Sequence, residues 1–360
     1  VAIRRLDLWM LLAVAVIASC AYLAQISTAE ALANPGFATR QLVWFAVGAL
    51  LLLLFAYADY RVLVRFAPLL YGGAVVVLAA TPFLAPERAG TRAWFAIGPY
   101  TVQPSEFARI ATILAVAALA GEHRQGQLTA GVAARLAAVV VLPMALIALE
   151  PDLGVALTYV PILVAALWLG GLPWRAWVAL VLGGLALSGA AWLWYLKPYQ
   201  KERILTFLDP DRAPYGAGYQ QRQSRIAVGS GGLAGKGLQG GTQSQLRFLP
   251  AQRTDFIFAV WAEETGFAGT APLVLAYALL LVRIFVISLQ ARDRTGAVIA
   301  AVAGAVLATQ TVVNLAMVTG LAPTTGITLP LMSYGGSSVM AVCILLGIVQ
   351  NVWRLRYANV

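Results

Sequence analysis

The chain has 360 residues, is 61% hydrophobic and only 11% charged, and carries a formal net charge of +10. Soluble domains run near a quarter charged, so a soluble globular fold is excluded, and with it the nucleic-acid partner that a basic soluble protein would suggest. Several apolar runs reach the ~20 residues that cross a bilayer, and the whole of 1–360 reads as a single transmembrane domain, an all-α polytopic membrane protein.

Ten spans are expected in chain order, at about 7–26, 40–58, 66–84, 105–120, 131–149, 153–170, 174–195, 269–290, 296–319 and 328–352. Arg4 and Arg5 precede the first, and Ile17-Ala18-Ser19-Cys20 resembles a lipoprotein cleavage box. Because many spans follow, an uncleaved first helix that orients them is the expectation. Cys20 and Cys343 lie within apolar runs and read as small core residues without a disulfide. The fourth span opens with Gln103-Pro104-Ser105, a helix start, followed by Glu106 and Arg109. Their i,i+3 spacing puts them on one helix face. Charges inside spans are costly and point to function. Two readings stay open: an ion pair pinning the helix end, or Arg109 meeting an anionic headgroup with Glu106 holding it. Glu150-Pro151-Asp152 is a tight turn between the fifth and sixth spans.

The seventh span is followed by a polar insert, 197–268, with 15 of the 40 charged residues and 10 of the 33 glycines. Chemistry in a membrane protein concentrates near such a segment. Its end carries Arg253-Thr254-Asp255-Phe256, where Thr254 or Asp255 could cap a helix. The run Phe256–Trp261 reads as an amphipathic interfacial segment, and Glu263 and Glu264 as either a solvated face or a brace for it. In the last spans Gln310, Asn314 and Thr319 add uncharged polar groups. Pro330 and Gly335-Gly336 suggest a broken helix facing a cavity.

Loop charges set the orientation. With the N-terminus cytoplasmic, Arg4, Arg5, Arg61, Arg65, Arg124, Arg135, Arg175, Arg283, Arg292, Arg294, Arg354 and Arg356 fall inside. The short outside loops keep Arg40, Arg88 and Arg92, as the positive-inside rule requires. Both termini are then cytoplasmic and the large loop between helices 7 and 8 is extracytoplasmic.

Several motifs fail. Gly229–Gly237 invites a phosphate-loop reading, but Ser230 stands where Walker A needs Gly, and Gly237 where it needs Ser or Thr. No βαβ unit surrounds it. His123 is the only histidine and falls on a loop, which removes zinc chemistry and a Ser-His-Asp triad.

Six ordered runs then carry a resemblance over nearly the whole chain: Gln103-Pro104-Ser105-Glu106, Glu150-Pro151-Asp152-Leu153-Gly154, the Gly-rich 229–241, Thr254-Asp255-Phe256-Ile257-Phe258, Glu263-Glu264-Thr265-Gly266-Phe267, and Ser333-Tyr334-Gly335-Gly336-Ser337-Ser338. Together they resemble the SEDS (shape, elongation, division and sporulation) family, its rod-shape branch more than its division branch. The resemblance implies a ten-span peptidoglycan glycosyltransferase of the bacterial cytoplasmic membrane. It polymerises the lipid-linked disaccharide lipid II beside a class B penicillin-binding protein, with membrane lipid around it. It also implies that Asp255 is the essential acid and that Glu106 and Arg109 are a substrate-binding pair, Arg standing where the family usually has Lys. Lys236 and Arg253 join Arg109 as candidate cations for the lipid diphosphate, with Glu263 and Glu264 supporting. No cofactor is obligate on this reading, and a divalent cation such as Mg could bridge Asp255 and the diphosphate. A lipid II flippase and a pure scaffold are the competing classes.

Overall fold

A computed structural model describes residues 6–87, 90–98, 100–122, 128–209 and 216–357. Arg4, Arg5, Arg88, His123 and Arg124 lie outside the described residues. Helices dominate: α1 (Leu8–Ala31), α2 (Gly36–Tyr57), α3 (Tyr60–Arg65), α4 (Ala67–Leu84), α5 (Pro104–Glu122), α6 (Ala130–Leu149), α7 (Leu153–Leu157), α8 (Val160–Leu169) and α9 (Trp174–Ala190). Then follow α10 (Pro198–Leu208), α11 (Ala217–Ser230), α12 (Thr242–Gln245), α13 (Ile257–Leu289), α14 (Arg294–Thr319) and α15 (Gly336–Leu355). Among the described residues, nine helices are long and apolar enough to cross a membrane. The expected sixth span, Leu153–Leu169, is a shorter apolar segment, interrupted between α7 and α8, where Pro161 enters the first turn of α8.

No loop at the start of α5 was expected to hold strands. Phe95–Ile97 (β1) and Tyr100–Val102 (β2) nonetheless pair antiparallel, with Phe95 opposite Val102. Gly98 at φ +59° makes the turn, a conformation that Gly adopts without steric cost.

Small residues let the spans approach closely, as lipid-embedded helices require. A Cβ on Gly48 of α2 would stand 2.8 Å from the Cys343 sulfur, and one on Gly347 of α15 would stand 2.5 Å from the Leu52 carbonyl oxygen. Cys343 is thus a packing residue, and both cysteines are free thiols. α9 is the opposite case: none of its residues is buried, and it continues into a π-helical turn, Ala191–Tyr195. Apart from Trp177, which packs against Trp168, this apolar helix needs lipid around it.

At the end of the bundle opposite the insert, the arginines assigned to one side by the charge count are tied together. Arg283 pairs with Asp7, whose carboxylate also accepts the Met10 N–H (2.8 Å) as the cap of α1. Tyr60 donates to Asp293 (2.5 Å), and Arg61 lies 3.6 Å from the same carboxylate. Asp7 is 2% exposed, and removing one partner of a buried pair costs about 3–5 kcal/mol. Asp7→Ala is therefore expected to lower the unfolding midpoint in detergent clearly, whereas a surface change such as Arg92→Ala leaves it in place.

Candidate active site

The insert is docked rather than free. Ser224 of α11 donates to the Val318 carbonyl (2.7 Å) and Gln221 to that of Ala322 (3.0 Å). Its Gly-rich run performs a structural task that the phosphate-loop reading could not reveal. α13 starts at Ile257, twelve residues before the expected span, and breaks at Gly266, where φ is +61° and ψ is −163°. A break frees backbone donors and acceptors that must be paired inside a membrane. The run does this. Lys236 and Gly237 donate to the Glu263 and Glu264 carbonyls (3.1 and 2.9 Å), while Phe267 and Ala268 donate to those of Gly232 and Leu233 (2.9 and 3.0 Å). The contact is so close that a Cβ on Gly266 would lie 2.3 Å from the Gly235 nitrogen.

Glu263 and Glu264 brace this splice; the solvated-face reading is not met. Glu263 is fully buried, and its carboxylate accepts from Lys236 Nζ (2.7 Å), Thr242 (3.2 Å) and the Gln243 N–H (3.0 Å). Glu264 takes the Ser27 hydroxyl of α1. The expectation of an interfacial, amphipathic Phe256–Trp261 is also overturned: all six residues are buried, because α1, α11 and α14 surround the half-helix.

Asp255 sits immediately before that half-helix. Three successive carbonyls fix it, taken by α1, by residues 333–334 and by α14. The Arg253 carbonyl accepts from Gln25 of α1 (3.1 Å) and from the Tyr334 N–H (2.8 Å). The Thr254 carbonyl accepts from Ser333 (2.7 Å), and that of Asp255 from Asn314 of α14 (3.0 Å). Neither Thr254 nor Asp255 caps α13, whose N-cap position is Phe256 with no side-chain bond. The Asp255 carboxylate is therefore held by its backbone and left available.

It opens into a chamber of about 230 Å³ lined by Glu106, Asp152, Asp255, Gln103, Gln310 and Trp94, among others. Asp152 was read only as part of a turn. In the structure it caps α7 through the Val155 N–H (3.1 Å), accepts from Gln103 (3.1 Å), and faces the same space as Asp255. Burial pushes the Asp255 carboxyl above the usual range, opposed by a hydrogen bond from Thr254 and by the charge of Arg203. Burial also raises Asp152, against the pull of the Val155 N–H; the negative charges of Glu106 and Asp255 add to the rise. A low-dielectric pocket that disfavours charge is one way to make a carboxylate a stronger base.

The cations are distributed differently from the sequence expectation. Arg109 pairs with Glu106 and donates to Thr158 (3.0 Å), at 3% exposure. It stands behind Glu106, so the expectation that Glu106, Arg109 and Asp255 all line one cavity holds for the two acids only. Lys236 is engaged by Glu263, away from the chamber. Arg253 stacks on Phe37 (4.1 Å to the ring centre) and Tyr334 (5.2 Å) in a neighbouring cavity. Arg203 of α10, which sequence reasoning missed, lines another adjoining cavity with Asp152, Tyr199 and Gln200. Its one sequence signal was a basic residue on an amphipathic helix inside the insert.

Pro330 and the two glycines do not break a helix; residues 321–335 form an irregular segment ahead of α15. Gly326, Ile327, Thr328 and Tyr334 from it line the chamber.

Glu150, at the end of α6, is 1% exposed and its Oε1 has no hydrogen-bond partner. Burial, aided by the charge of Asp152, lifts its carboxyl to about 8 from an ordinary 4.5. A folded-state value above the unfolded one means the unfolded chain loses its proton first, so stability falls as pH rises between them. The melting temperature is expected to fall between pH 4.5 and about 8 in the wild type and to do so less in Glu150→Gln. Parallel curves for the two proteins would remove this assignment.

A family model described as cell cycle protein, FtsW/RodA/SpoVE, matches residues 1–358. This chain belongs to that family. It is 37% identical over 323 residues to the peptidoglycan glycosyltransferase MrdB of Escherichia coli strain K12, covering 89% of this chain and 86% of that one. It is 36% identical over 323 residues to stage V sporulation protein E of Bacillus subtilis, covering 88% and 87%. Among solved structures it matches a chain of a peptidoglycan synthase complex that coordinates polymerization and crosslinking, with a TM-score of 0.83, 34% identity, and 98% and 99% coverage. It also matches the rod shape determining protein RodA of Thermus thermophilus, with a TM-score of 0.73, 30% identity and 98% coverage of both chains. The SEDS resemblance read from six motifs is thereby established.

Proposed function

We propose that this chain polymerises lipid II into glycan strands for cell-wall elongation and cell shape, with Asp255 as general base. Its class, a peptidoglycan glycosyltransferase of the bacterial membrane, follows from its family. The carrying observation for the rest is a half-buried carboxylate freed from capping, anchored through three carbonyls, and facing a polar chamber inside an apolar body.

In the reaction a sugar hydroxyl oxygen attacks the anomeric carbon that bears the lipid diphosphate. The new C–O bond forms as the bond to the diphosphate breaks, and the hydroxyl proton passes to Asp255. The diphosphate is a good leaving group, so no second carboxyl need protonate it, unlike the acid of a glycosidase. One displacement inverts the α-linked donor to a β-linked polymer. Arg203, in a cavity adjoining the chamber and close enough for its charge to act on Asp255, is the candidate cation for the departing charge, and stabilising that charge is the main electrostatic task. Glu106, braced from behind by Arg109, forms part of the chamber wall. The oxygen donors of Asp152 and Asp255 suit a divalent ion such as Mg, which would supply charge neutralisation at the diphosphate.

An apolar groove of about 530 Å³ between α2, α4, α5 and α15, lined in part by Val102 and Pro104 on either side in sequence of the chamber residue Gln103, is the candidate site for the lipid tail. The arginine asymmetry supports an insert end outside the cell and both termini in the cytoplasm. A class B penicillin-binding protein then works beside the chain on the outer surface. Fluorescent lipid II incubated with the purified protein is expected to give long products that a muramidase, which cuts β-linked strands, digests completely. Resistant products would overturn the inverting displacement.

A further inference from the structure

Beside the Asp255 chamber lies a second cavity, of about 300 Å³, that the reaction as described leaves unused. Its walls include Trp44, Trp94, Tyr100 and Tyr334, with Arg40 and Arg253. Trp94, Thr254, Tyr334 and Gly335 line both spaces, so the two are joined.

Three of these rings, Trp44, Tyr100 and Tyr334, are fixed by ring contacts. Trp44 meets Tyr100 edge to face, with centres 5.1 Å apart, and its indole lies so close to Gly336 that a Cβ there would be 2.5 Å away. Tyr334 meets Phe37 at 5.5 Å, and Arg253 covers both rings. Trp and Tyr belts at membrane surfaces turn their rings to the headgroups. These rings instead line a concavity, where amphipathic rings offer an apolar face and a polar edge to one ligand. Neither Arg40 nor Arg253 has an ion-pair partner among the described residues. Two unmatched guanidinium groups favour an anion, and their planar forks fit a carboxylate.

We propose that this cavity is a saccharide subsite that holds the acceptor sugar of an anionic glycan. One hexose face lies on Trp94, and Arg40 and Arg253 engage a carboxylate attached to that sugar unit. The inference rests on the glycosyltransferase reading and adds to it the place where the attacking hydroxyl is held. Trp94, at the junction, sets that hydroxyl toward Asp255.

Binding of a soluble muramyl-peptide disaccharide to the purified full chain, followed by tryptophan fluorescence, tests this. Wild type and Asp255→Asn are expected to bind equally, and Trp94→Ala and Arg40→Gln about tenfold more weakly. An uncharged N-acetylglucosamine tetramer is expected to bind wild type weakly and to be indifferent to Arg40→Gln. Arg40 is exposed, so its variant reports even if Trp94→Ala fails to fold. Unchanged affinity in Arg40→Gln, or no saccharide binding by a wild type that still polymerises lipid II, removes the subsite and leaves the enzyme reading standing. A fluorescence change on adding inorganic pyrophosphate that Arg40→Gln weakens, with none on adding the disaccharide, would make the cavity a diphosphate site and overturn the proposal.

Discussion

Asp255→Asn is expected to cut lipid II polymerisation by about 10²–10⁴-fold, the range a positioned general base contributes, with little change in KM or in the melting temperature. The amide has the same shape, and the bonds that position residue 255 run through the carbonyls of Arg253, Thr254 and Asp255 rather than through the carboxylate. Folding is thus separable from chemistry at this residue. The pH profile adds a second readout. The base works ionised, so the rate falls as pH drops through its pKa, and burial moves that limb above the ordinary value of 3.8. An acid limb at or below that value would contradict a desolvated base.

Glu106→Ala is expected to be the most destabilising single change at the site. It strands the Arg109 guanidinium at 3% exposure with Thr158 as its remaining side-chain partner, and an uncompensated buried charge costs about 3–5 kcal/mol. Replacing both partners with apolar residues of similar size, Glu106→Leu with Arg109→Met, should recover most of the stability. It should not recover polymerisation, because the polar wall facing Asp152 and Asp255 is gone. Thermal unfolding of the three proteins in one detergent measures the first effect and strand synthesis the second. A single variant that melts with the wild type would show that the pair carries no folding energy.

Much of this was legible in the sequence. Hydropathy gave the spans, and the cost of charge in lipid singled out Glu106 and Asp255, which do share a chamber. Asp152 was hidden because a capping aspartate in a turn looks ordinary; its meaning comes from Gln103 and Asp255, brought opposite by packing. Gln25 and Asn314 were equally opaque, since an amide within a span says nothing of which distant carbonyl it will hold. The Gly-rich run could be read only by what it failed to be. Its pairing with residues 263–268 exists because α13 breaks at Gly266, and a single glycine in an apolar run does not announce a break. The aromatic Phe256–Trp261 misled for a related reason: composition cannot separate a helix lying on a membrane from one enclosed by an insert.

The most direct test is a side-by-side assay of wild type and Asp255→Asn in liposomes carrying lipid II, reading both strand formation and movement of lipid II across the bilayer. A ladder of glycan strands is expected from the wild type and none from the variant. A wild type that moves lipid II but makes no strands would contradict the polymerase reading, and a variant that still makes them would contradict Asp255 as the base.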